Sequence, residues 1–202
     1  MYLKEFEVRW NDLDANRHLA NSSYINFMSH TRLSYMMENG FGQNSMVTNN
    51  IGPVVFYEHM FYFREVFPGK PIRVSLQLKG ISKNGMYFEF QHNFYNHEGE
   101  NMARCNMMGG WIDLQTRKLR DLPNKLFLAL NELEKTGDFK NLTKDDTRKF
   151  KQFPQKLILA FLGFLVDKNT PINIKIAEPT LSGLSESAFI ITAKIAARTG
   201  CK

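Results

Sequence analysis

Long apolar runs and cysteines are what this sequence has least of. Its longest apolar stretch, LILAFLGFLV over residues 157–166, is ten residues, about half of the ~20 that a membrane-spanning helix needs. The opening residues MYLKEFEVRW place no apolar segment behind a basic start, so no signal peptide is expected. Cys105 and Cys201 stand about a hundred residues apart, which frames neither a disulfide scaffold nor a metal site. Unpaired thiols suit a reducing compartment, and the expected location is the cytoplasm. There is no glycine-rich phosphate loop. Lysines and arginines are dispersed without interleaved aromatics, which argues against nucleic acid as a partner. No cluster of His, Cys and carboxylate has ligand spacing, so no metal and no cofactor are expected.

What is present is an ordinary globular composition. The chain has 202 residues, 43% hydrophobic and 23% charged, enough for one domain with an appendage. Phe is frequent at 17 and Met reaches 10. Both types fill irregular cores, and both also suit apolar ligands. The net charge of +6 mildly favours anionic partners: a nucleotide phosphate, an acidic carrier protein or a membrane surface.

Hydrophobic period orders the elements. Residues 2–10 alternate apolar and polar, an opening strand. Residues 11–21, NDLDANRHLAN, are too polar for a core element and read as an ordered loop. A helix follows, capped by Asn21 or Ser22 and closed by Gly40. Its apolar residues cover more than one face, which predicts a helix wrapped by a sheet. Strands then run over 54–66, 72–79, 86–94 and 101–114. Asn84-Gly85 marks a hairpin and His97-Glu98-Gly99 a second turn. Two successive hairpins mean antiparallel neighbours. The fold class predicted is therefore α+β, one long central helix enclosed by an antiparallel sheet. A helix starting at Pro123 runs to 135. Residues 1–135 read as the domain. Residues 136–202 read as an appendage, with a helical segment at 157–166 and few aromatics after Phe164.

The residues that carry chemistry lie in WNDLDANRHLANSSY, positions 10–24. Carboxylates, an imidazole and side-chain amides precede a helix whose first N–H groups lack intrahelical partners and carry partial positive charge. Thioester hydrolysis needs such a set. A carboxylate activates water or attacks the carbonyl carbon, and donors stabilise the oxyanion. Asx-rich loops before helices also serve simply as turns and caps.

This segment resembles the signature of the hotdog-fold thioesterase superfamily: Asp12-x-Asp14-x-x-x-His18-Leu19-x-Asn21-x-x-Tyr24, following a first strand and opening a central helix. The sub-pattern Asp14-x-Asn16-x-His18 is similar to the acyl-carrier-protein thioesterases, and more broadly to the 4-hydroxybenzoyl-CoA thioesterase-like enzymes. RKLRDLP at 117–123 looks like the exit from the last hotdog strand. The resemblance covers about residues 1–130. It implies Asp14 as the catalytic carboxylate, with Asn16 and His18 as its polar support. It also implies Asn21, Ser22 and Tyr24 as substrate contacts, the backbone N–H near Asn21 and Ser22 polarising the carbonyl. Ala20 departs from the pattern, where many members have Asn.

The implied activity is hydrolysis of an acyl-coenzyme A or acyl-carrier-protein ester, as fatty acid metabolism uses. A homodimer or homotetramer is expected, with sites at the subunit interface. Two rivals remain: a hydroxyacyl-thioester dehydratase using Asp14 and His18, and a non-catalytic acyl-thioester binding protein. Elsewhere, Glu58 and His59 are read as pocket candidates, one of them facing solvent. Arg64 and Glu65 are read as a surface pair, His30 as a packing residue, His92 as facing the helix or a partner, and Cys105 as an inert buried thiol.

Overall fold

Among the described residues six strands share one sheet. The computed structural model describes residues 1–156, of which 1–151 form one compact unit. The elements are β1 (Tyr2–Phe6), α1 (Asn21–Glu38), α2 (Gln43–Thr48), β2 (Ile51–Tyr62), β3 (Ile72–Ile81), β4 (Tyr87–Tyr95), β5 (Asn101–Asp113), α3 (Asn124–Asn131) and β6 (Lys135–Asn141). The order across the sheet is β1-β3-β4-β5-β2, all antiparallel, with β6 pairing parallel to β3. The α+β class and the antiparallel hairpins agree with the expectation.

Several boundaries differ. The opening strand stops at Phe6, and Trp10 stands 86% exposed in a 3₁₀ turn over Trp10–Asp12. The helix cap is Ala20, not Asn21 or Ser22; Asn21 is the first helical residue. At the far end Gly40, with φ +81°, ends α1 as expected of a glycine in the left-handed region. Helix α2 is too short to show a period, and the sequence reading passed over it. The predicted helix from 123 to 135 stops at Asn131. Strand β6 continues the sheet beyond residue 135, where the sequence reading ended the domain. Leu142, just after it, is buried. Of the second unit only residues 152–156 are described, an exposed stretch without helix or strand. The proposed helical segment at 157–166 lies outside the described residues.

Helix α1 buries one face, Tyr24, Phe27, Met28, Thr31, Tyr35 and Met36, at helical spacing. Ile25, Leu33 and Met37 stay exposed, so the sheet supports the helix without enclosing it. The helix packs over β1 and β3. Beneath it lie Phe88, Phe90, Phe94, Met107 and Trp111, all fully buried. The Tyr35 hydroxyl donates to the Ala129 carbonyl at 2.6 Å and ties α1 to α3. In β5, Gly109 allows close approach: a Cβ there would lie 2.6 Å from both the Phe88 ring and the Val54 carbonyl oxygen. Among the described residues, no helix is long and apolar enough to cross a membrane.

Candidate active site

The polar loop before α1 is held by its own side chains. The Asp14 carboxylate Oδ1 accepts the backbone amides of Asn16 at 2.8 Å and His18 at 3.1 Å. The Asp14 amide in turn donates to the His18 carbonyl at 2.8 Å. Arg17 takes φ +65° to make this tight Asx turn. Asp12 shapes the loop rather than the cleft: Oδ2 accepts the Arg9 amide, and its carbonyl accepts from the Ala20 amide and the Ser23 hydroxyl. The Leu19 amide donates to the Val66 carbonyl at 2.8 Å and fastens the loop to the segment after β2.

That attachment creates a cleft of about 350 Å³ between the loop, the start of α1 and residues 62–66. Asp14, His18, Asn21 and Tyr24 all line it. Two of the expected site residues do not. Asn16 contributes its backbone amide to Asp14, and its side chain is exposed. Ser22 has its amide bonded to the Asn21 side-chain oxygen at 2.8 Å. The amides of Ser23 and Tyr24 turn to the Ala20 carbonyl. The Asn21 amide, the first of the helix, has no preceding turn of helix to supply it a carbonyl.

Tyr24 is buried, its ring edge-on to Tyr62 at 5.2 Å and to Phe94 at 4.9 Å. Burial, with smaller contributions from Tyr62 and the Asp14 charge, pushes its hydroxyl up to about 12. It therefore stays protonated at neutral pH, a neutral donor beside the carboxylate.

The loop after β2 supplies residues that the sequence reading placed elsewhere. Glu65 is not paired with Arg64; its carboxylate lies 3.5 Å from His18 Nδ1, and Arg64 reaches Glu100 at 2.5 Å. The His18 ring also stands edge-on to Phe67 at 4.8 Å. Tyr62, Phe63, Arg64 and Glu65 line the cleft with the motif. Their one sequence signal is the aromatic run at 61–63, because the contact is set by the Leu19–Val66 link.

The remaining candidates separate by face. Glu58 points to Arg32 on α1, whereas His59 stacks on Phe150 on the opposite side of the sheet. His30 is exposed, edge-on to Phe6. His92 is fully buried: its Nδ1 bonds the Ser75 carbonyl at 2.7 Å and its Nε2 lies 3.2 Å from Arg32. Burial and then the Arg32 charge push His92 down to about 3, with the Ser75 bond opposing. Cys105 is buried opposite His92, and burial raises its thiol to about 12, an unreactive group. No group of three or more potential metal ligands occurs among the described residues.

Comparison with known proteins agrees with this architecture. Residues 8–130 match the sequence model of the thioesterase-like superfamily. No curated protein sequence matches the chain. Among solved structures, a 1,4-dihydroxy-2-naphthoyl-CoA thioesterase from Synechocystis is similar at 16% identity and TM-score 0.59, over 65% of this chain and 96% of that one. A probable thioesterase from Escherichia coli, YbaW, shows 24% identity and TM-score 0.56, over 66% and 98%. A hypothetical protein from Staphylococcus aureus in complex with CoA shows 14% identity and TM-score 0.60, over 82% and 94%. These likenesses show the hotdog fold, and the matched stretch contains the whole cleft. The chain belongs to the thioesterase-like superfamily.

Proposed function

We propose that the protein hydrolyses acyl-coenzyme A thioesters, with acyl-carrier-protein esters as the second carrier class. The observation that carries this reading is the convergence of Asp14, His18, Asn21 and Tyr24 on one cleft at the start of α1. Asp14 Oδ1 is occupied by two amides, which fixes the carboxylate while Oδ2 takes part in neither bond. Asp14 takes a proton from water as the water oxygen attacks the carbonyl carbon, and the C–S bond then breaks to release acid and thiolate. The Asn21 amide at the helix start and the neutral Tyr24 hydroxyl are the donors available to the oxyanion. His18, braced by Glu65 and Phe67, orients the water or the carboxylate. A thioesterase of this kind needs no metal or organic cofactor.

A second copy of the chain completes the site in this reading. β2 is an edge strand among the described strands, and Val55, Phe56, Phe61 and Tyr62 on it are exposed. Pairing two such edges removes that liability. It also shields the exposed Asp14 loop and drains water from the cleft. A hydrolysis screen of the purified protein over acyl-CoA esters of graded length, following free thiol, tests the assignment. Release of CoA from some members is expected; silence across the whole series overturns it.

A further inference from the structure

A second hollow opens on the surface beside the cleft. Of about 160 Å³, it lies between the segment after β2, the start of β3 and the turn between β4 and β5. Val66, Phe67, Pro68, Pro71, Ile72 and Met102 give it apolar walls. Val66, Ile72 and Met102 are buried, whereas Phe67, Pro68 and Pro71 are exposed. The hollow therefore has an apolar floor and a rim that faces solvent.

The cation on that rim is Lys70. It is exposed, and its Nζ stands 3.2 Å from Nε2 of His97, which also lines the hollow. An ammonium only donates, so the ring nitrogen accepts here, and the remaining ammonium hydrogens are left for a ligand. The other polar groups of the lining are spent. Glu65 turns its carboxylate to His18 at 3.5 Å, and the Asn96 side chain bonds Glu100 and the Glu98 amide. Glu98, whose carboxylate is 3.7 Å from His97 Nε2, is not part of the lining. Glu65 and Val66 line both the hollow and the cleft, which makes the two neighbours across one ridge.

We propose that this hollow takes the nucleotide of coenzyme A, with the purine on its apolar walls and a phosphate on Lys70. The inference rests on the thioesterase reading above and narrows the carrier to coenzyme A. A nucleotide joins a flat base to phosphates through one sugar, and an apolar hollow with a cation on its rim complements both parts. An acyl chain would cover the walls and leave Lys70 without a counter-charge. The prosthetic arm of a carrier protein brings a phosphate but no base to cover the walls. Because the hollow opens to solvent beside the cleft, the carrier reaches it over the surface, with no passage through the core.

The test offers one acyl group, the best of the screen above, as its CoA, phosphopantetheine and pantetheine esters. In the wild-type protein the CoA ester is expected to exceed the phosphopantetheine ester in kcat/KM by about 10- to 100-fold, mainly through KM. Lys70→Ala should lower the ratio of CoA to pantetheine ester by about 3- to 10-fold and leave the pantetheine ester's own kcat/KM unchanged. Titration with 3′,5′-ADP should move the methyl resonances of Ile72 and Met102, and leave those of Val47 on α2 in place. Equal kcat/KM for the CoA and phosphopantetheine esters overturns the inference and leaves the hydrolase reading standing. So does a CoA preference that survives Lys70→Ala undiminished, or a 3′,5′-ADP titration that leaves Ile72 and Met102 unmoved. No hydrolysis of any ester overturns the hydrolase reading, and the inference with it.

Discussion

The Asp14 carboxylate accepts the amide of His18 at 3.1 Å, while the Asp14 amide donates to the His18 carbonyl at 2.8 Å. This reciprocal pair locks the two side chains of the motif at a fixed spacing on the rim of one cleft. It also separates backbone roles from chemical ones. Asn16 gives its backbone amide to the turn, and Asp14 and His18 line the cleft.

Stability should depend on pH through His92. Its folded-state value lies near 3, below its ordinary 6.5, so the folded protein resists a proton that the unfolded chain accepts. The His92 contribution is therefore complete above about 6.5 and is lost as pH falls from there toward 3, at up to about 1.4 kcal/mol per pH unit. Urea unfolding at pH 7 and pH 5 should show wild type losing about 2 kcal/mol more than a His92→Asn variant across that interval. Equal losses in the two proteins would contradict the buried, neutral assignment.

Gly109→Ala should lower the melting temperature by several degrees. The new methyl would meet the Phe88 ring and the Val54 carbonyl at 2.6 Å, an overpacking cost of about 1–3 kcal/mol. Gly137→Ala in β6 is the control, since nothing lies within 4 Å of its added Cβ. Calorimetry that finds the two variants equally stable would remove the close approach as a cause.

The exposed edge of β2 predicts a homodimer. Light scattering at micromolar concentration should give twice the chain mass or a multiple of it. Val55→Lys on the exposed strand should shift the population toward monomer, since charged edges resist pairing. A strictly monomeric wild type would refute the shared site.

Much of this was legible in the sequence, and the exceptions have causes. Strands with strict alternation, such as Ile72-Val74-Leu76-Leu78, were found within a residue or two. Asn84-Gly85 and Gly40 announced a turn and a helix end through backbone chemistry alone. β6 escaped because KTGDFKN has no apolar period; it is a strand through its pairing with β3. The Glu65–His18 contact escaped because it is non-local, and the chain neighbour Arg64, which pairs with Glu100, offered a nearer but wrong explanation. For α1, apolar residues on several faces suggested enclosure, yet Ile25, Leu33 and Met37 are exposed. Residues on the open flank of a helix look like core when read in one dimension.

The measurement that bears most directly on the function is steady-state hydrolysis by Asp14→Asn. The substitution keeps size and an acceptor for the Asn16 and His18 amides, and removes the base. Turnover on the best acyl-CoA ester should fall about 10²–10⁴-fold, roughly 3–5 kcal/mol in the barrier. The loss should appear in kcat with little change in KM, and the melting temperature should hold. His18→Ala should cost less, and Asp12→Asn least, since Asp12 serves the loop. An Asp14→Asn protein with near-wild-type hydrolysis would contradict the carboxylate mechanism and leave His18 as the base to test.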